Sequence, residues 1–134
     1  MPLPAQTCLL PHSLPTDAAT RIQLVAIRRM AAHGLRDAQA SLLLLRWFGL
    51  DYRRRLVLLR ALMHELAQVS RRTIQLAPCC AGRMTADEAL LVRALDQVDA
   101  DPADAASALI ELTQNDAIEQ PLSLAAMLAR PRCG

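Results

Sequence analysis

Cys79 and Cys80 stand side by side directly after Pro78, and no residues of this chain are better suited to covalent or metal chemistry. Thiolates bind soft metals and attack electrophiles, and basic neighbours favour the thiolate form. Cys8 and His12 lie four positions apart in the N-terminal segment. Together, Cys79, Cys80, Cys8 and His12 offer three sulfurs and one imidazole to a zinc ion, the donor set of a structural site. Their spacing argues the other way. Zinc sites use pairs separated by a few residues, and adjacent cysteines seldom both ligate one metal. A disulfide between neighbours needs a strained ring. Ordinary unreactive thiols without a cofactor are therefore expected first, a zinc site second and thiol redox chemistry third. Cys133 falls in a short C-terminal tail.

Other constellations fail on position. His64-Glu65 supplies half of a helical metalloprotease pattern, but Gln68 stands where the second histidine belongs. Asp99-Ala100-Asp101 lacks the glycine and closing glutamate of a calcium loop. There is no glycine-rich phosphate loop and no nucleophile–base pair, so no catalytic residue is expected and the balance leans away from an enzyme.

Charge is distributed unevenly. Residues 1–83 carry 12 Arg against 4 acids, and residues 84–134 carry 3 Arg against 9 acids, with no lysine anywhere. Such asymmetry speaks to partners, not to fold. It is sharpest in a segment beginning at Asp51, where Arg53, Arg60, His64 and Arg71 align at 100° per residue and Arg54 flanks the line. Leu56, Leu59, Leu62, Met63, Leu66 and Val69 fall opposite and should face a core. Arg53-Arg54-Arg55 would sit at the positive end of a helix dipole, where each exposed cation costs about 0.3–1 kcal/mol. Something anionic should answer them. Glu88, Asp96 or Glu111 from the acidic half are internal candidates; an acidic protein or a phosphate backbone are external ones. Trp47, Phe48 and Tyr52, the only aromatics, cluster just before these arginines. They are expected to fill a joint between helices, with Tyr52 the most surface-exposed; the alternative is an interface anchor, since Trp, Tyr and Arg are enriched in hot spots. The candidate partner-binding set is thus Trp47, Tyr52, Arg53, Arg54, Arg60, His64 and Arg71. An acidic protein is preferred to nucleic acid. The turn Gly49-Leu50 is short for a helix-turn-helix, and three aromatics are few for stacking bases.

These residues must be positioned by helices. Leu and Ala dominate the 53% hydrophobic fraction, β-branched residues are few, and no sustained alternation predicts a sheet. The fold class predicted is all-α, a single compact bundle of five or six short helices over 16–130, preceded by an extended proline-punctuated arm over 1–15 and followed by a tail over 131–134. Thr16 caps a helix to His33 with Gly34 as its stop, and Asp37 opens a second that ends at Gly49. The apolar run Leu42–Phe48 in that second helix implies burial by neighbours or by a second copy of the chain, which makes a homo-oligomer possible. Asp51 caps a third helix reaching about Thr73, and Ile74–Met84 reads as a loop. Thr85 and Glu88 form a capping box, Asp101-Pro102 opens a fifth helix, and Pro121 starts the last. The four leucines at 42–45 end at Arg46, far short of the ~20 apolar residues of a membrane span. With no basic leader before the prolines, a cytoplasmic location is expected.

Several segments resemble a small uncharacterised bacterial family defined as a domain of unknown function. They are Pro11–Pro15, Ala26–Leu35, Leu62–Leu66, Ala77–Cys80 and Met84–Leu91. The resemblance spans about residues 10–98 and implies no catalytic residues. The function expected is a non-enzymatic macromolecule-binding module working through the basic helix face and the aromatic corner. The alternatives are a thiol or metal protein using Cys79 and Cys80, and a nucleic-acid-binding regulator.

Overall fold

The computed structural model describes residues 10–129. Cys8, Cys133, most of the predicted arm and the tail 131–134 lie outside them. Six α-helices follow in order: α1 (Ala18–His33), α2 (Ala38–Phe48), α3 (Tyr52–Val69), α4 (Ala86–Gln97), α5 (Pro102–Thr113) and α6 (Glu119–Ala129), with a 3-10 turn, Gly49–Asp51, joining α2 to α3. The all-α prediction holds. One small exception is an antiparallel pair of two-residue strands, β1 (His12–Ser13) and β2 (Arg83–Met84), in which His12 faces Met84 and Ser13 faces Arg83.

Local chemistry accounts for most helix ends. Asp37 accepts the Ala40 amide, Asp101 accepts the Asp104 amide ahead of Pro102, and Thr85 with Glu88 forms the full capping box. Gly34 and Gly49 close α1 and α2 at positive φ, 106° and 59°, where a side chain would be strained. Four helix ends differ from the sequence reading. Asp17, not Thr16, caps α1, its carboxylate taking the Thr20 amide at 2.9 Å. Asp51 makes no capping bond; its carboxylate turns to Arg55 at 3.1 Å. α3 stops at Val69, four residues early, because the Arg71 amide leaves the helix to donate to the Thr113 carbonyl. Arg71 therefore does not continue the line of Arg53, Arg60 and His64. α6 starts at Glu119, two residues before Pro121.

The core lies between α3 and its neighbours. Leu56, Leu59, Leu62 and Leu66 of α3 belong to one buried cluster with Ile27 and Met30 of α1, Leu44 of α2, Leu91 and Leu95 of α4, Leu109 and Leu112 of α5, and Leu128 of α6. Burying each such leucine is worth about 1.5–3 kcal/mol, so this seam sets the arrangement of the helices. No described helix is long and apolar enough to cross a membrane.

Candidate functional site

Two regions carry features that a packed bundle does not require. The first is the connection from α3 to α4, residues 70–85. Arg28 of α1 lies on the same stripe as Leu24 and Ile27 and is buried, 1% exposed, against the fully buried Glu88. Their contact is bidentate: Arg28 Nε to Glu88 Oε2 at 2.7 Å and Nη2 to Oε1 at 2.9 Å. Arg28 also donates to the carbonyls of Ala81 and Arg83, while Glu88 accepts the amides of Ala77 and Thr85. An irregular segment thereby has four of its backbone groups satisfied by one buried ion pair. Desolvating such a pair usually offsets its Coulomb gain, so its contribution is better understood as fixing one loop conformation. A second pair repeats the device. Arg72 forks onto Asp87 at 2.9 and 3.1 Å and donates to the Leu112 carbonyl, and Asp87 accepts the Gln75 amide. Arg28–Glu88 and Arg72–Asp87 are also where the basic and acidic parts of the chain meet.

The loop so held displays Pro78, Cys79 and Cys80. Cys79 is half-buried, with Arg29 Nη1 4.0 Å from its Sγ, and Cys80 is exposed. Arg29 is held in turn by Asp37 at 2.9 Å; that guanidinium, together with the Ala40 amide, keeps the Asp37 carboxyl below the usual range. Beside the loop is a cavity of about 580 Å³ whose wall includes Cys80, Arg72, Asp87, Gln75, Leu76 and Leu10. Among the described residues no three His, Cys, Asp or Glu side chains are grouped to hold a metal, so His12, Cys79 and Cys80 are not gathered as the zinc reading required. Cys8 lies outside the description.

The second region is the corner between α2 and α3. The leucine run does not bury itself: within α2 only Ala40 and Leu44 are buried, and Leu42 and Leu45 are exposed. Trp47 is 50% exposed, Leu50 91% and Val57 61%. Five of the seven exposed large apolar side chains among the described residues thus fall within residues 42–57. Phe48 and Tyr52 pack against the core, which corrects the expectation that Tyr52 would be the most exposed aromatic; Trp47 is.

The arginines here divide into two groups. Arg54 bonds the Met127 carbonyl, and Arg55 bonds the Leu128 carbonyl at 3.3 Å, Gln23 at 3.2 Å and Asp51. Arg55 also lies over the Phe48 ring, 4.1 Å from its centroid. The cations at the start of α3 are answered by the last-turn carbonyls of α6, the negative end of another helix dipole. The carboxylates expected to do this are elsewhere. Glu88 holds Arg28, Asp96 accepts the Thr20 hydroxyl, and Glu111 makes no ion pair within the described residues. Arg60 donates to the Leu35 carbonyl at 2.6 Å and ties α3 to the α1–α2 turn. These three belong to the fold. Arg46 and Arg53 do not. Arg46 makes no side-chain hydrogen bond or ion pair within the described residues, and Arg53 touches only the Tyr52 hydroxyl and ring. His64 and Arg71 are exposed, and neither makes a side-chain bond within the described residues.

Residues 4–131 match the profile of a family described as a family of unknown function, DUF6628. The chain belongs to this family. Membership over nearly the whole sequence bears out the domain-of-unknown-function resemblance and extends it beyond residues 10–98. No curated protein and no solved structure matches this DUF6628 chain significantly.

Sequence reasoning missed the Arg28–Glu88 hub. A signal was present, because an arginine one helical turn after Leu24 and next to Ile27 sits on an apolar stripe, where a charge demands a buried partner. It also missed Arg46, Leu50 and Val57 as members of the exposed corner.

Proposed function

We propose that the chain is a non-enzymatic helical binding module whose contact surface is the α2–α3 corner, and that it takes an acidic protein partner with apolar anchors of its own. The observation that carries this reading is Leu50, 91% exposed at the tip of the corner, with Trp47 and Val57 exposed on either side of it in sequence. Apolar area left in water gives up about 25 cal/mol per Å², and a concentration of it in one region is the usual mark of an interaction surface. Trp with Arg is the composition of energetic hot spots. Arg46 and Arg53 add charge that no carboxylate of the described chain answers, which favours a partner of opposite sign and speeds encounter with it. Over residues 38–64 five arginines face a single acid, Asp51, and Arg54 and Arg55 already occupy it.

A photo-crosslinking residue at position 50, compared with one at the exposed Ser107 of α5, tests this in the native cell. The reading expects one protein captured from position 50 and not from 107, crosslinked through an acidic segment, and lost with Arg46→Glu plus Arg53→Glu. Capture of nucleic acid or lipid, of a second copy of the chain, or of nothing at position 50 overturns it.

A further inference from the structure

Cys79 and Cys80 are the two central residues of a tight turn, in which the Ala81 amide donates to the Pro78 carbonyl at 3.0 Å. Both flanks of that turn end on the buried ion pair. The Ala77 amide donates to Glu88 Oε2 at 3.1 Å, and Arg28 Nη1 donates to the Ala81 carbonyl at 2.9 Å. Two thiols therefore stand side by side on a backbone held at both ends. Arg29 Nη1 approaches the Cys79 Sγ at 4.0 Å, while Asp37 holds the same guanidinium through Nε at 2.9 Å and Nη2 at 3.3 Å. Cys80 is exposed and lines the cavity together with the apolar side chains of Leu76, Pro78, Ala81 and Ala86.

Three chemistries take up two sulfurs, and the turn separates them. A disulfide usually joins Cα atoms about 4.4–6.8 Å apart. Consecutive Cα atoms are about 3.8 Å apart, so a bridge within the turn is strained. A cationic metal meets two obstacles. Among the described residues no third His, Cys, Asp or Glu completes a donor set, and the Arg29 guanidinium repels a cation on the sulfur it faces. A neutral thiophile that joins both sulfurs through one atom meets neither. The bridging atom removes the need for an S–S contact, and it brings no charge for Arg29 to oppose.

We propose that Cys79 and Cys80 form a chelating dithiol site for an organic arsenic(III) hydroxide, R–As(OH)2, whose apolar R group lies in the adjoining cavity. Each Sγ bonds to arsenic as one As–OH bond breaks, and each thiol proton leaves with that hydroxide as water. Arsenic stays trivalent, and nothing is oxidised or reduced. An excess of a small dithiol reverses the exchange. Because the turn already holds the two cysteines together, less conformational freedom is lost on chelation than in an unfolded chain.

The full-length reduced protein is mixed with one equivalent of phenylarsine oxide, pulsed with iodoacetamide and digested with trypsin after removal of excess reagent. The peptide Thr73–Arg83, which carries both cysteines, should escape alkylation at Cys79 and Cys80 together. Intact mass should show one phenylarsenic group gained and two hydrogens lost. Releasing it should take at least tenfold more competing dithiol from the folded protein than from the same protein unfolded in urea. Cys79→Ser and Cys80→Ser should each abolish that retention with melting unchanged, and Cys8→Ser and Cys133→Ser should leave it in place. Equal release from folded and unfolded protein, arsenic that links Cys79 or Cys80 to Cys8 or Cys133, attachment through one cysteine alone, or equal protection by zinc(II) overturns the proposal.

Discussion

Arg28 and Glu88 lie sixty residues apart in sequence and meet with both partners essentially out of water, Nε to Oε2 at 2.7 Å. The pair joins α1 to α4, and four backbone groups of the intervening loop bond to it. The loop bearing the two cysteines is thereby tied to both helices. A hydrophobic pair in the same space would hold α1 to α4 as well, but it would leave two carbonyls and two amides of the loop without these partners.

Truncating one member should be costly. Glu88→Ala leaves a buried guanidinium uncompensated, and breaking such a pair costs about 3–5 kcal/mol. Urea unfolding followed by circular dichroism should show a loss of that size, and amide exchange at Ala77 and Thr85 should accelerate beyond it. A loss below about 1 kcal/mol would mean that the pair does not hold the loop.

Acid should act on the carboxylates in two directions. The backbone and hydroxyl hydrogen bonds of Thr20 keep the Asp17 carboxyl below the ordinary value, Arg29 does so for Asp37, and Arg93 for Asp104. Their folded forms hold protons more weakly than the unfolded chain, so their contribution is complete above about pH 4–5 and is lost as pH falls through their depressed values. Asp96 has the opposite sign. Desolvation raises its value, against the opposing Thr20 hydrogen bond, so stability falls as pH rises from about 3.9 through that raised value, and at neutral pH its charge is a standing penalty. Asp96→Asn keeps an acceptor for the Thr20 hydroxyl and should raise the melting temperature at pH 7 but not at pH 3. An equal effect at both would assign it to packing.

Trp47 is the single tryptophan, so its fluorescence reads the α2–α3 corner without interference. At half exposure its emission should be red-shifted and acrylamide should quench it readily in the free protein. Sedimentation at several concentrations should give a monomer. A blue-shifted, protected tryptophan in a concentration-dependent dimer, released by Leu45→Glu, would instead assign this surface to a second copy.

How far the fold was legible depended on the range of the interactions. Asp37, Thr85 with Glu88, and Asp101-Pro102 announce helix starts because each completes its bonds within four residues. The end of α3 was not legible: no glycine or proline follows Val69, and the chain leaves the helix for the Thr113 carbonyl, more than forty residues on. The β1–β2 pair is too short to show any alternation. At the corner, counting arginines could not separate Arg54, Arg55 and Arg60, which end on carbonyls of α6 and the α1–α2 turn, from Arg46 and Arg53, which do not. That distinction is tertiary. The leucine run of α2 looked buried because its composition is apolar all round, whereas its neighbours cover one side alone.

Binding at the α2–α3 corner is tested most directly by one paired comparison. Tagged wild-type protein and the Leu50→Glu, Arg53→Glu variant are recovered from the native cells, and each is melted in parallel. Both positions lie outside the core, so stability should stay within about 0.5 kcal/mol of wild type. An acidic protein should accompany the wild type and be absent from the variant. An identical set of companions on both, with folding intact, would contradict it.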